Sequence, residues 1–177
     1  MASEPANRFV LSLISVYLLW KLLHYYFTQS TGLIHHYWLS LVFKMGAFYA
    51  AITSFVLNIF DEPTIYRGIT VFYLSTGRSI RVEDHCLAIP AMVIFTGSIM
   101  LFSGNWKNKL WFVPLGLFFI FIINLLRLVF VCVAFQHMSA VYYNIHHTLI
   151  YVIATYTVIF LMIAWWMKRF GKPTNNS

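Results

Sequence analysis

Leu110-Trp111-Phe112-Val113-Pro114-Leu115-Gly116-Leu117-Phe118-Phe119-Ile120-Phe121-Ile122-Ile123-Asn124-Leu125-Leu126-Arg127-Leu128-Val129-Phe130-Val131-Cys132-Val133-Ala134-Phe135 is an apolar run long enough to cross a bilayer, and it holds an amide and a guanidinium three residues apart. A buried charge at bilayer depth costs roughly 3 kcal/mol on insertion scales, so such a residue normally faces a polar cavity with a partner. Asn124 and Arg127, at i and i+3, share one helix face. An arginine near a helix end can also snorkel to the headgroups. The rest of the chain has to decide between the two readings.

Composition points the same way as the run. Of 177 residues, 60% are hydrophobic, 19% aromatic and 10% charged, and mean hydropathy is +0.74. That is the make-up of an integral membrane protein with a single domain. The net charge of +7 is scattered over short connections and the C-terminus, which fits membrane topology and predicts no nucleic-acid partner. Cys86 and Cys132 form no CxxC motif, and a disulfide between them is left open.

Outward from the central run, the pattern predicts an all-α polytopic fold of four or five transmembrane helices with a small extracytoplasmic β-hairpin. The spans are 9–27, 86–102, 110–135 and 148–167, with a basic cytoplasmic tail over 168–177. Only Arg8 is basic before the first run and no small-x-small site follows it, so it reads as a retained anchor. Residues 36–60, with Lys44, Thr53 and Asn58, suit a span or an interfacial helix. Residues 61–85 are an outer loop, in which Ile69–Leu74 and Arg78–Val82 read as two strands about Ser75-Thr76-Gly77. Pro114 falls in the first turn of its span, where proline is tolerated.

Three spans from Cys86 onward put 61–85 and 136–147 on one side, and Lys107, Lys109 and the basic tail on the other. The positive-inside rule makes the second side cytoplasmic. A cytoplasmic N-terminus then favours an interfacial 36–60. Arg127 rises about 26 Å above Leu110 at 1.5 Å per residue, close to the outer face of the core. Cys86 opens its span from the outside, and His146 and His147 open the last. A thiol, a cation and an imidazole thus reach one depth on one side. Thiolate attack on an acyl carbon, proton transfer by histidine and a fixed cation for the oxyanion form a coherent set. Cys132, amid valines, reads as a small buried hydrophobe.

The order Cys86, then Asn124-Leu125-Leu126-Arg127, then His147 about twenty residues later resembles the exosortase/archaeosortase family of membrane transpeptidase-like proteases. The likeness runs from about Ile69 to the C-terminus. It implies a cysteine peptidase or transpeptidase in the inner (plasma) membrane with an extracytoplasmic site, Cys86 as nucleophile and Arg127 and His147 completing the site. Asn124 and His146 are supporting candidates, His147 being preferred as base because it abuts the last span. The implied partners are exported proteins with a C-terminal sorting signal, made of a short motif, a hydrophobic helix and a basic tail, together with membrane lipids. The family often has Cys-Ser-Gly where this chain has Cys86-Leu87-Ala88, so a different local backbone is expected here.

Two other readings come from the residues themselves. Arg127 could hold a partner helix in a non-enzymatic scaffold of an export or polysaccharide system. His24, His35, His36, His146 and His147 could supply axial ligands to a haem in an electron carrier. The transpeptidase reading calls for no metal and no cofactor, and the cysteines and histidines lack the spacing of a closed zinc set.

Overall fold

The computed structural model describes residues 3–102, 104–137 and 151–170. Among the described residues are five α-helices and one small sheet: α1 (Ser3–Gln29), α2 (Leu33–Ile59), β1 (Thr64–Arg67), β2 (Thr70–Tyr73), β3 (Ser79–Arg81), α3 (Ile89–Leu101), α4 (Trp106–His137) and α5 (Tyr151–Phe170). The chain is a polytopic, almost wholly α-helical membrane protein. By length and composition α2, α4 and α5 could each cross a bilayer. Large apolar side chains face outward along them, among them Phe48, Phe55, Phe118, Leu126 and Phe160. A soluble fold could not leave that surface bare.

Helix α4 is the longest element and packs against α2, α3 and α5. Its 32 residues make it about 48 Å long, well beyond the roughly 30 Å hydrocarbon core. It starts at Trp106, earlier than the pattern predicted, so Pro114 lies inside the helix and not in its first turn. Around its lower half, α1, α3 and α5 form one core with Phe95, Ile99, Ile120, Ile163 and Trp166 at its centre. Gly116 lets that core close, because a Cβ there would overlap the Phe95 ring. Helix α3 spans 13 residues, about 20 Å, much less than the span expected over 86–102. Its last turn is capped by Lys109, whose Nζ donates to the Met100 carbonyl at 2.9 Å. The adjacent Gly104 lies against Trp166 and the Phe170 carbonyl, so Lys107, Lys109, Lys168 and Arg169 gather at one end.

The opposite end carries the sheet. Instead of a two-stranded hairpin there are three antiparallel strands in the order β1-β2-β3, with Val71 opposite Tyr66 and Ile80. Strand β1 was not anticipated, and it is tied to α2. Asn58 accepts from the Thr64 amide at 2.8 Å and donates to the Thr64 carbonyl at 3.0 Å, while the Ser54 and Thr64 hydroxyls meet at 3.0 Å. Arg78 and Thr76 at the β2–β3 turn reach the Phe135 carbonyl and Gln136 at the top of α4.

Helix α2 begins near the same end. Trp38 stacks on Phe27 at 5.5 Å and packs against Trp20 and His24 of α1, and His35 Nδ1 lies 3.0 Å from the Phe27 carbonyl. Both ends of α2 therefore meet elements at the sheet-bearing end.

Candidate active site

Cys86 closes a 3₁₀ turn, Asp84–Cys86, between the sheet and α3. Two backbone bonds shape the turn, from the Cys86 amide to the Glu83 carbonyl at 2.9 Å and from the Leu87 amide to the Asp84 carbonyl at 3.1 Å. Ala88 then takes φ 54°, ψ 22° before α3 starts at Ile89, with Pro90 in its first turn. That is the left-handed region that glycine enters freely and an L-residue enters at roughly 1 kcal/mol. The backbone two residues after the cysteine thus has the conformation a glycine favours.

Asn124 reaches this turn from α4. It is 1% exposed, and its Nδ2 donates to the Cys86 carbonyl at 2.7 Å. A buried amide without a partner costs about 1–3 kcal/mol, and this bond removes the penalty on both groups. Arg127, one turn further along the same face and half-buried, acts on the Cys86 thiol electrostatically and favours the thiolate. Burial is nevertheless the larger influence. It pushes the thiol pKa up, against the Glu83 hydrogen bond and the Arg127 charge, with Glu83 and Asp84 pushing the same way as burial. At rest Cys86 is therefore a protonated thiol, 7% exposed, and needs a base to become a nucleophile.

The wall around the cysteine comes from the sheet, α2 and α4: Tyr49, Val71, Tyr73, Val82, Leu125, Leu128 and Cys132 form one buried cluster with Cys86. Both cysteines are free. Cys132, wholly buried, lies against the Tyr73 hydroxyl, as suits a small apolar residue. Tyr49 turns its hydroxyl toward Asn124 without forming a bond of good geometry.

Of the residues singled out in the sequence, Cys86, Asn124 and Arg127 meet at one place. His146 and His147 lie outside the described residues. His24, one of the haem candidates, pairs instead with Asp84 at 3.9 Å, two residues from Cys86. That neighbour was missed, although Lys21 and His24 at i and i+3 on α1 were a readable signal of a polar face inside an apolar helix.

A cysteine turn, a buried amide and an arginine thus meet at one end of a helical membrane protein. The chain is a member of the transmembrane exosortase family, whose match extends over residues 8–165. The match takes in α1 and α2 as well as the stretch from Ile69 onward that carries the motifs. No curated protein and no solved structure matches the chain.

Proposed function

We propose that this protein is a membrane cysteine protease or transpeptidase that cleaves the C-terminal sorting signals of exported proteins at the outer face of the inner membrane. The observation that carries the reading is the 2.7 Å bond from Asn124 to the Cys86 carbonyl, which fastens the N-x-x-R face of α4 to the cysteine turn. Family membership supports it.

In the proposed reaction His147 takes the thiol proton as Cys86 Sγ attacks the scissile carbonyl. The C–N bond breaks, the amine of the C-terminal fragment leaves with that proton, and a thioester remains on Cys86. Water or an amine then attacks the thioester and restores the thiol. The Arg127 guanidinium balances the oxyanion charge in this reading. Because burial keeps the resting thiol neutral, the reaction needs a base to take the proton.

Orientation follows from charge. Lys107, Lys109, Lys168 and Arg169 lie at one end of the bundle and are placed in the cytoplasm, which makes the sheet-bearing end extracytoplasmic. With both its ends at that face, α2 is an interfacial helix in this reading, and the membrane is crossed by α1, by the 86–102 segment that contains α3, by α4 and by α5. A sorting signal with a hydrophobic helix and a basic tail would orient by the same rule, its motif at the height of Cys86. The test is replacement of Cys86 by Ala in cells. Exported proteins ending in such signals should accumulate at full length, and unchanged processing would end the proposal.

A further inference from the structure

Helix α2 brings a tyrosine to the cysteine site. Gly46 sets how near the helix comes, because a Cβ there would meet the Ile69 side chain at 2.9 Å and the Val82 carbonyl at 3.3 Å. One turn on, Tyr49 is 1% exposed and joins the buried cluster that holds Cys86, Leu87 and Leu125. Its ring packs against Phe121 of α4 with centroids 5.0 Å apart, and Phe121 lies three residues before Asn124 on the same helix face. The Tyr49 hydroxyl is buried and forms no hydrogen bond among the described residues, although it faces the Asn124 amide. A phenylalanine would pack the same ring without leaving a buried hydroxyl unpaired, which is costly. A group kept at such a cost in the resting protein points to a partner in another state.

We propose that Tyr49 is a positioning residue of the cysteine site, its hydroxyl receiving the Asn124 amide when the Cys86 turn opens to admit substrate. This deepens the proposed function, and only the effect on processing rests on that reading. Cys86 is 7% exposed, so a scissile carbonyl reaches its Sγ only after the turn moves. That movement breaks the 2.7 Å bond from Asn124 Nδ2 to the Cys86 carbonyl. An amide donor stranded inside a buried cluster is costly, and the cost would hold the turn shut. The Tyr49 hydroxyl oxygen, already facing that amide, accepts the released N–H. Hydrogen bonds that are misaligned in the free protein and tighten as the site works are common in catalytic sites. Closed, the amide serves the Cys86 carbonyl; open, it serves Tyr49. Opening thus exchanges one bond for another, and Tyr49 acts on Cys86 only through Asn124.

The experiment is alkylation of Cys86 by a maleimide over a range of pH, together with thermal unfolding, on the full chain in detergent carrying Cys132→Ser. Tyr49→Phe should slow alkylation roughly three- to tenfold, the effect of one hydrogen bond lost from the open turn. The pH midpoint should stay in place, because the hydroxyl acts on the turn and not on the thiol charge. The melting temperature should be unchanged or higher, because the resting protein loses only an unpaired group. In an Asn124→Leu background the same substitution should leave alkylation unaltered, since the donor it serves is gone, and in cells Tyr49→Phe should lower processing. A lower melting temperature with faster alkylation, the mark of a packing residue, would overturn the proposal. So would an unchanged rate, a shifted midpoint, or equal slowing with and without Asn124, and each of these leaves the protease reading standing. The single variant decides even if the double variant does not accumulate.

Discussion

Replacing Asn124 by leucine keeps the branched outline of the side chain and removes the donor to the Cys86 carbonyl. In the native protein that bond is 2.7 Å long and belongs to a side chain 1% exposed, so water cannot substitute for it. A buried carbonyl left unsatisfied costs about 1–3 kcal/mol, and we take about 2 kcal/mol. For a chain of this length that lowers the melting temperature by roughly 4–8 °C. The local consequence is larger than the global one, because the bond holds the turn that shields the thiol. Weakening that turn by about 2 kcal/mol raises the population of its opened form about thirtyfold. In a Cys132→Ser background, alkylation of Cys86 by a maleimide should therefore accelerate by about one order of magnitude or more, while substrate processing falls. Ordinary loss of a catalytic site would not make the thiol more reactive, so the opposite signs are diagnostic. Unchanged alkylation together with an unchanged melting temperature would refute the reasoning.

Arg127→Gln should act in the opposite direction on the same thiol. Arg127 favours the Cys86 thiolate against burial, so removing the charge raises the thiol pKa further and moves the rate-versus-pH curve for alkylation to higher pH. Processing should drop on the order of a hundredfold, as when an oxyanion donor is lost, and a curve that stays in place would separate Arg127 from the thiol. Ala88→Gly relieves a left-handed φ of 54° at some entropic cost, and should leave stability unchanged or raise it by up to about 0.5 kcal/mol in thermal unfolding. A clear loss of stability would contradict the assigned backbone. Gly116→Val should destabilise by about 1–3 kcal/mol or prevent accumulation, since its Cβ would overlap the fully buried Phe95 ring, and Phe95→Leu in the same chain should restore part of the loss.

The central helix and its polar face were legible because polarity inside an apolar run is costly and so stands out. Asn124 and Arg127 announced a shared face three residues apart, and Cys86 announced itself by following Glu83, Asp84 and His85 at the edge of an apolar stretch. What could not be read depends on contacts distant in sequence. Nothing in Thr64-Ile65-Tyr66-Arg67 alone specifies a strand. It becomes one because Asn58 and Ser54 hold Thr64 and β2 supplies the ladder. The short α3 was overestimated because the apolar character of Leu87 and Ala88 hid a turn, and a left-handed alanine leaves no mark in composition. That Cys132 shares a cluster with Cys86, and that His24 faces Asp84, follow from how α1, α4 and the sheet pack. Hydropathy carries no information about such pairings.

The most direct test is to look for the covalent intermediate itself. Membranes carrying this protein and a full-length exported substrate would be quenched in acid and digested, and the peptides read by mass spectrometry with and without hydroxylamine. A hydroxylamine-labile substrate adduct is expected on the peptide bearing Cys86 and not in Cys86→Ala. Continued processing with no such adduct, or an adduct on Cys132, would contradict it.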